Sequence, residues 1–317
     1  MLPVPQAYQL KFTLEHLRHY FAQVIDRYVI RPESKQIALA LLLGQKESLG
    51  KEVKQAYSAT GTQHILAVSG LHVAIIYSIL LLPLTYFKQE GHALRKIYLF
   101  LVMGLIWIYA LMTGFSPSVV RAVVMFSLVT LGQMRKRKPS IWNILSFSAL
   151  LLLVLDPGVR TDLGFQLSYL AVAGIVGLQP LILQLWSPPN RVLDYFWQMA
   201  AVTLAAQLIT SPLTIHYFHT FPSYFLLANL LIVPLSYLIL CAGVPFLLLA
   251  WVPFLGRVLG AIVDFLLLLQ NEVTYRIQDL PAALWQGIHL SFAGMLAIWG
   301  LLWIWGNWEL GNRKRLA

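Results

Sequence analysis

Two histidines and a serine stand inside an apolar stretch, Thr60–Ile76, where ionisable side chains usually serve a function. Read as one helix, this stretch places His64 and His72 about 12 Å apart along the axis, too far to bind one metal ion together. Their directions differ by about 80°, and Ser69 lies about 60° beyond His72, so all three would face a common polar interior. The pattern predicts that they line a polar path. Hydrogen bonding between helices is the alternative role of the histidines.

Ser69 and Gly70 are small residues, which let membrane helices approach closely, and such packing is the alternative to a place on the path. Ser69 with a histidine also offers the residue types of a nucleophile and its base. However, Ser69 and His72 stand on one predicted helix with no separate orienting group, whereas triad chemistry requires groups that converge. The main prediction therefore assigns no catalytic residue and no enzyme activity, and an intramembrane serine hydrolase is an alternative.

An arginine follows a predicted helix start in the segment Ser116–Ala122. Ser116 takes the N-cap position, and Pro117 falls in the first turn, where its missing N–H costs nothing. The helix N-terminus offers free N–H groups, and Arg121, one turn inside, adds a fork of donors that fits phosphate oxygens. This pattern predicts a phosphate contact. The alternative is that Arg121 reaches the outer interface or pairs with Asp162.

Polar residues also interrupt two later apolar segments. Asp162 is predicted to cap the helix that follows it, and Gln166 and Ser168 place polar groups along the first turns of that helix. Further on, Asn229 would either line the path or satisfy a carbonyl released by a kink at Pro234.

Motifs for metal and nucleotide chemistry are not found in the sequence. The eight histidines contain no His-x-His-x-Asp-His run that would hold two metal ions. No phosphate-cradling Gly-x-x-x-x-Gly-Lys-Ser/Thr segment occurs, and the single Cys241 can neither form an internal disulfide nor complete a cysteine metal site. We predict no metal and no cofactor, and a need for energy supplied elsewhere.

The composition indicates a membrane protein, because 58% of residues are hydrophobic, 11% are charged and the mean hydropathy is +0.70, whereas soluble domains carry about 25% charged residues. Apolar runs approach the roughly 20 residues that cross a bilayer. They are continuous and Leu-rich, as suits helices rather than barrel strands. The prediction is an all-α, polytopic transmembrane helical bundle. The runs are Ile65–Phe87, Ile97–Thr113, Ile141–Leu155, Phe165–Leu185, Phe196–Tyr217 and Phe292–Trp305.

Two segments depart from simple spans. Ser223–Val252 is too long for one ordinary span and contains Pro234 and Pro245, so it is predicted to be a hairpin or a broken, kinked helix. Near the N-terminus, one helical face is apolar and suits an interfacial amphipathic helix lying on the membrane. That face comprises Leu14, Leu17, Phe21, Val24, Ile25 and Tyr28.

Basic residues gather in Lys88–Lys96, Arg135–Lys138 and Arg313–Arg315, and such clusters tend to stay cytoplasmic. The hairpin tip Gly114–Pro117 would then face outward, and the orientation of the C-terminal half stays open. The predicted organisation is an extracytoplasmic segment 1–63, a polytopic channel region 64–308 and a basic tail 309–317. We further expect an external vestibule where the outer ends of several helices converge. It would hold His64, Arg121, Asp162 and Gln166.

The chain resembles the core membrane domain of the ComEC competence proteins over nearly its whole length. The most specific resemblance lies in Leu43-Gly44-Gln45 and in Thr60–Val73, with its Ser-Gly-Leu-His. Further similarity, in the same order, lies in Ser116-Pro117-Ser118-Val119-Val120-Arg121-Ala122, in Asp156-Pro157 with Asp162-Leu163-Gly164-Phe165-Gln166-Leu167-Ser168-Tyr169, and in Ala228-Asn229-Leu230-Leu231-Ile232-Val233-Pro234.

The resemblance implies a channel or permease domain that takes up single-stranded DNA across the bacterial cytoplasmic (inner) membrane during natural transformation. It implies partners: single-stranded DNA, the lipid bilayer, a cytoplasmic ATPase and external DNA-delivery proteins. Members commonly add an external oligonucleotide-binding-like domain and a metallo-β-lactamase-like domain, and neither is evident here, so the chain looks like part of a longer protein. The sequence leaves homo-oligomer formation open. A transporter of another anionic or phosphorylated substrate is a further alternative.

Overall fold

The computed structural model of the chain describes residues 6–66, 68–86, 92–135 and 140–316. Within these ranges the fold is helical, with a short 3-10 helix (Pro157–Thr161) and two short strands, β1 (Thr220–Pro222) and β2 (Leu284–Gln286). The predicted all-α class is therefore confirmed. The helices are α1 (Gln6–Tyr28), α2 (Pro32–Leu43), α3 (Lys51–Ala59), α4 (Gly70–Tyr86), α5 (His92–Met112), α6 (Pro117–Met134), α7 (Ile141–Leu155), α8 (Leu163–Leu183), α9 (Arg191–Phe218), α10 (Phe225–Leu249), α11 (Pro253–Gln278) and α12 (Phe292–Leu316).

Among the described residues, six helices are long and apolar enough to cross a membrane, and three shorter helices are apolar as well. The chain is thus a membrane protein. Three of the six, α6, α10 and α11, were not among the predicted apolar runs. Helix α6 follows the predicted helix start at Ser116, and α10 lies in the segment Ser223–Val252, whereas α11 was missed because Arg257, Asp264 and Glu272 interrupt its hydropathy. The six are Ala93–Met112, Pro117–Met134, Leu163–Leu183, Arg191–Phe218, Phe225–Leu249 and Pro253–Gln278.

The helix predicted to run through Thr60–Ile76 begins only at Gly70. Residues 60–66 form turns instead, in which the Thr62 N–H bonds to the Tyr57 carbonyl and Gly61 takes φ +73°. This left-handed conformation suits glycine and does not continue a right-handed helix. The helical spacing expected between His64 and His72 is therefore wrong.

Helix α10 runs without interruption from Phe225 to Leu249, so the hairpin alternative for this segment is wrong. Pro234 and Pro245 both lie inside it. A proline within a helix removes one backbone N–H donor, and the carbonyl four residues earlier loses that partner.

The chain divides into two compact units. Unit 1 comprises Met1–Ser58, Thr62–Pro139 and Ile232–Arg276, and unit 2 comprises Ala59–Gly61, Ser140–Leu231 and Ile277–Ala317. The predicted basic clusters of the loops around Lys88 and Lys136 lie mainly outside the described residues, as do the side chains of the tail 309–317.

In unit 1, α4, α5 and α6 share one apolar core, in which valine is the commonest residue. A second contact joins α1 to α11, where a Cβ built on Gly256 or Gly260 would lie within 2.8 Å of Tyr28. Glycine at both positions lets the two helices approach closely. The predicted apolar face of α1 is present, since Phe21, Val24 and Ile25 are buried, although Leu17 is 37% exposed.

In unit 2, α8 and α9 pack tightly, and a Cβ on Gly174 would lie 2.7 Å from the Ala205 carbonyl oxygen. Strands β1 and β2 pair antiparallel, with Phe221 opposite Trp285. Gly61 also belongs to this unit, and a Cβ there would lie 2.8 Å from the Pro222 side chain.

Candidate functional site

Ser69 and His72, two residues of the predicted site, are in contact at the start of α4. Ser69 immediately precedes the helix, and its carbonyl accepts the N–H of His72. In return, Nδ1 of His72 accepts the Ser69 backbone N–H at 3.2 Å and lies 3.0 Å from Ser69 Oγ. The bond from the Ser69 N–H to the His72 side chain corresponds to one half of a capping box, with histidine in place of the usual glutamate.

The tautomer of His72 follows from these contacts. Because a backbone N–H can only donate, Nδ1 of His72 carries no proton in the neutral ring, and the proton resides on Nε2. His72 is 1% exposed, and its Nε2 is buried without a hydrogen-bond partner among the described residues. His64, by contrast, is exposed in the preceding turns. The expected common orientation of His64, Ser69 and His72 on one helix is therefore wrong, because the helix starts after Ser69.

The start of α6 lies beside this turn. The helix begins at Pro117 with Ser116 in the N-cap position, as predicted, but the Ser116 side chain makes no capping bond. Its Oγ lies 3.4 Å from the Ser118 hydroxyl, which donates to the Val68 carbonyl at 2.7 Å. The bond from Ser118 ties the N-terminus of α6 to the residues just before α4.

Two further residues complete this neighbourhood in unit 1. A Cβ on Gly70 would lie 3.5 Å from the Ala122 side chain, an ordinary van der Waals distance, so the start of α4 contacts α6 and the role of Gly70 stays a prediction. Arg121 follows one turn inside α6 and is 6% exposed. A guanidinium buried this deeply does not sit at an open interface. Its pairing with Asp162, a residue of unit 2, stays a prediction.

In unit 2, the predicted cap at the start of α8 is confirmed, since Asp162 Oδ1 accepts the Phe165 backbone N–H at 2.5 Å. The Gln166 side-chain amide donates to the Arg160 carbonyl at 2.8 Å, and the place of Gln166 on a path stays a prediction. The Phe165 ring is buried against Tyr169, with ring centroids 4.6 Å apart. Ser168 is half-buried on the same helix.

Asn229 satisfies a different carbonyl from the one expected. Its side-chain amide donates to the Phe225 carbonyl at 2.8 Å, four residues earlier in α10. Pro234 withholds its N–H from the carbonyl of Leu230 instead. The interpretation that Asn229 compensates for Pro234 is therefore wrong, and its place on a path stays a prediction.

A buried polar network in unit 1 was missed in the sequence. It centres on Tyr57, whose hydroxyl donates to Asn271 Oδ1 and accepts from Gln270 Nε2, both at 2.9 Å. Ser236 Oγ lies 3.0 Å from Gln270 Oε1 and extends the network to α10. The signal was available, because Asp264, Gln270, Asn271 and Thr274 fall within about 120° of one another on the apolar helix α11. All four are buried.

One end of this polar face carries an ion pair. Arg31 Nη1 lies 2.6 Å from Asp264 Oδ2, with the side chains 48% and 6% exposed. The Arg31 backbone N–H also donates to Asp264 Oδ1 at 3.4 Å. The Asp264 carboxylate therefore binds both the side chain and the backbone N–H of Arg31, the residue before α2. A cavity of about 350 Å³ lies alongside, lined by Arg31, Pro32, Glu33, Ser34, Leu268 and Asn271.

The predicted site residues thus fall into two sets. Unit 1 holds His64, Ser69, Gly70, His72, Ser116, Pro117, Arg121 and Pro234, whereas unit 2 holds Asp162, Phe165, Gln166, Ser168 and Asn229. In the described part of the chain, no three His, Cys, Asp or Glu side chains group as metal ligands. The contacts in both sets are hydrogen bonds, caps and packing.

The sequence of the chain is similar to those of several known bacterial proteins. The chain is 31% identical over 255 residues to ComE operon protein 3 of Bacillus subtilis, covering 79% of this chain and 31% of that protein. It is 27% identical over 302 residues to the protein YcaI of Escherichia coli, covering 86% of this chain and 39% of that protein. With Recombination protein 2 of Haemophilus influenzae it shares 28% identity over 208 residues, or 63% of this chain and 26% of that protein.

The chain therefore spans about a third of the length of these relatives. No solved structure matches the chain. The profile of the Competence protein family matches residues 41–311, which include α3 to α11 and all the predicted site residues. Since this match covers most of the sequence, the chain belongs to the Competence protein family and is a competence-related membrane protein, as its resemblance to the ComEC proteins implies.

Proposed function

We propose that the chain is a channel or permease domain that carries single-stranded DNA across the bacterial cytoplasmic membrane during natural transformation. The family match over residues 41–311 is the observation that carries this proposal, because phosphate-recognising groups alone do not identify the molecule that bears the phosphate. The chain acts by positioning polar groups and makes no covalent bonds with its substrate.

The arrangement in unit 1 supports a role for Arg121. The N-termini of α4 and α6 are joined through the bond from Ser118 to the Val68 carbonyl, and Arg121 is buried one turn further along α6. Helix N-termini and guanidinium groups favour anions. We assign Arg121 to the DNA backbone contact.

The proposal includes partners outside the chain. Movement of a charged polymer through a membrane requires energy, and the sequence carries no nucleotide-binding loop of the Walker type. A cytoplasmic ATPase pulls the strand, and an external apparatus delivers it. The chain lies in the cytoplasmic membrane as a multi-pass protein.

The test is the uptake of labelled transforming DNA by cells in which the gene is deleted and then restored. Surface-bound DNA and nuclease-protected DNA are scored separately. We expect deletion to remove only the protected pool, and restoration to recover it. Unchanged protected DNA in the deletion strain would contradict the proposal.

The Arg121→Ala variant tests the assigned contact in the same assay. We expect the protected pool to fall about tenfold or more, since a lost hydrogen bond to a charged group costs roughly 1.5–3 kcal/mol. Surface binding and the amount of protein in the membrane should stay unchanged. Arg135→Ala, which removes an exposed positive charge just after the same helix, is the matched control. Normal internalisation by well-expressed Arg121→Ala would refute the role of Arg121.

A serine hydrolase is the second candidate, because Ser69 Oγ lies 3.0 Å from His72 Nδ1. A hydroxyl that donates to an unprotonated ring nitrogen has the geometry of a nucleophile and its base. The other ring nitrogen of His72, however, has no orienting partner among the described residues. Proteolysis of a defined substrate that is lost in Ser69→Ala, together with normal DNA uptake by that variant, would favour the hydrolase.

A further inference from the structure

The cavity next to Asn271 lies at the start of α2, within unit 1. Its lining includes Arg31, in the N-cap position, and the first turn of the helix, which is Pro32, Glu33 and Ser34. Arg31 makes no side-chain capping bond, and proline has no N–H group. The remaining backbone N–H groups of the first turn therefore have no intrahelical partner, and they give this end of the cavity partial positive charge.

One polar group of the lining is buried and unsatisfied. Ser34 is 1% exposed, and its Oγ has no hydrogen-bond partner among the described residues. A serine hydroxyl inside a helix commonly donates to a backbone carbonyl of the preceding turn, and the Ser34 hydroxyl does not. Buried polar groups are satisfied in the great majority of cases. Because Ser34 lines the cavity, a molecule bound there would supply the missing partner.

Two side chains of opposite charge line the same cavity. Arg31 binds Asp264 through Nη1 and is half-exposed, so the rest of its guanidinium group is available to a ligand. Glu33 forms no ion pair among the described residues, and its Oε2 accepts a hydrogen bond of 3.4 Å from the Tyr275 hydroxyl. Arg31, Asp264 and Glu33 together carry one net negative charge, which disfavours a simple anion. The cavity suits a molecule that carries both a negative and a positive group.

The surface of α11 next to the cavity is apolar and exposed. Helix α11 is one of the helices that are long and apolar enough to cross the membrane, so an exposed apolar stripe along it faces lipid. Leu268 of the cavity lining immediately precedes one end of this stripe. Ile30, the residue before Arg31, is 79% exposed and adds apolar surface at the same place. The stripe recurs every three or four positions and comprises Phe254, Val258, Ile262, Phe265 and Leu269.

The order of the groups along α11 matches the covalent order of a phospholipid. The apolar stripe ends about one turn before Glu272, an exposed carboxylate that marks the polar end of the helix. Arg31 contacts α11 at Asp264, within the length of the stripe. Glu33 contacts α11 eleven residues later, at Tyr275, beyond the end of the stripe. A phosphatidylethanolamine molecule likewise runs from apolar acyl chains through an anionic phosphate to a cationic ammonium group.

We propose that this cavity binds the headgroup of a phosphatidylethanolamine molecule from the surrounding membrane. The phosphate accepts hydrogen bonds from Arg31, from the Ser34 hydroxyl and from the free N–H groups at the start of α2. The ammonium group donates to the Glu33 carboxylate, and the acyl chains lie along the apolar stripe of α11. The volume of about 350 Å³ falls within the range of small-molecule sites, about 300–1,000 Å³. This lipid site is separate from the transport role proposed above.

The test is native mass spectrometry of the full, delipidated chain, titrated with dioleoyl phosphatidylethanolamine, phosphatidylcholine or phosphatidylglycerol. The Kd of the first bound lipid is compared among the three. We expect phosphatidylethanolamine to bind about tenfold more tightly than either of the others. The reason is that the choline headgroup has no N–H to donate to Glu33, and the glycerol headgroup has no cation. Equal Kd values, or a preference for phosphatidylglycerol, would overturn the inference.

Glu33→Gln removes the charge that selects the ammonium group and keeps the shape of the side chain. We expect it to raise the Kd of phosphatidylethanolamine about tenfold and to abolish the preference over phosphatidylglycerol. Glu272→Gln is the matched control, because it removes an exposed carboxylate at the polar end of α11 that does not line the cavity. It should leave the three Kd values unchanged. Full preference for phosphatidylethanolamine in Glu33→Gln would contradict the assigned site.

Ser34→Ala tests the phosphate contact with a variant that the fold should tolerate, since the hydroxyl has no partner among the described residues. We expect the Kd of phosphatidylethanolamine to rise about tenfold at an unchanged melting temperature. An unchanged Kd would show that the hydroxyl does not bind the lipid, and the inference would fail. Displacement of bound phosphatidylethanolamine by a short oligothymidylate would assign the site to the DNA backbone and likewise overturn the inference. None of these outcomes affects the proposed function.

Discussion

The hydroxyl of Tyr57 holds three helices of unit 1 together through Asn271, Gln270 and, beyond them, Ser236. We expect Tyr57→Phe to lower the free energy of unfolding by about 1–3 kcal/mol, because two buried amides each lose a partner. Thermal unfolding in detergent measures the change. Tyr20→Phe, at an exposed position on α1, should be close to neutral. A similar loss in both variants would argue against the network.

Tyr57 also predicts a dependence of stability on pH. Burial raises the pKa of Tyr57 from 10.0 to about 12, although the hydrogen bond with Gln270 acts in the opposite direction. The folded state thus keeps its phenolic proton to higher pH than the unfolded chain, so this contribution is complete below pH 10 and is lost between pH 10 and 12. The free energy of unfolding, measured at pH 9, 10 and 11, should decline more steeply in the unaltered chain than in Tyr57→Phe, by up to about 1.4 kcal/mol per pH unit.

The ion pair between Arg31 and Asp264 predicts unequal effects of its two partners. Arg31→Ala leaves a carboxylate with 6% exposure unneutralised, whereas Asp264→Asn leaves an arginine that is 48% exposed and can reach water. We expect Arg31→Ala to destabilise by about 3 kcal/mol and Asp264→Asn by clearly less. Chemical denaturation of both variants in the same detergent provides the comparison. A larger loss in Asp264→Asn would contradict the assigned burial.

At the scale of elements, close packing of α8 on α9 depends on Gly174. A Cβ there would lie 2.7 Å from a backbone oxygen of Ala205, which cannot move aside as a flexible side chain does. We expect Gly174→Ala to lower the melting temperature by several degrees, since overpacking costs about 1–3 kcal/mol.

Gly300, on α12, is the matched control, because a Cβ there meets nothing within 4 Å. Gly300→Ala should be neutral or stabilise the chain by up to about 1 kcal/mol, through the better helix propensity of alanine. If both variants melt at the same temperature, the contact between α8 and α9 is not as tight as described.

Elements differ in how well the sequence predicts them, for physical reasons. Long apolar runs predict helices because, in lipid, the backbone N–H and C=O groups of a segment must hydrogen-bond to one another. Asp162 was predicted as a cap because its type and position suffice for a local bond. The start of α4 at Gly70 was not predicted, because apolar residues also lie upstream of Ser69. The turns of residues 60–66 include Gly61 in a left-handed conformation, which the apolar pattern does not reveal. Helix α11 was missed because its buried polar face lowers the hydropathy on which the prediction relied.

The candidate site was harder to predict than the helices. The sequence indicated Ser69, His72 and Arg121 by their types. The contacts of Arg18 and Tyr57 join residues that are 25 or more positions apart, such as Leu43 and Asn271. Contacts at that separation arise from tertiary packing, and no local spacing encodes them.

At the scale of the whole molecule, the charge pattern predicts the orientation of the chain in the membrane. Phe115 precedes α6 and Arg135 follows it, so one crossing separates them. With Cys241 replaced by serine, a cysteine at position 115 should react with an impermeant maleimide in intact cells. A cysteine at position 135 should react only after permeabilisation. Reaction of both, or the reverse pattern, would refute the orientation.

Gly61 belongs to Thr60–Val73, the segment with the most specific family resemblance, and its conservation in other proteins would have a structural meaning. Its left-handed backbone and its close contact with Pro222 favour glycine over any residue with a side chain, for reasons of local structure alone. The glycine at position 61 therefore indicates the local backbone structure and does not identify a substrate. We expect a protein that keeps the Thr-Gly-Thr of residues 60–62 to form the same turn whatever its substrate, so the substrate has to be learned from other residues.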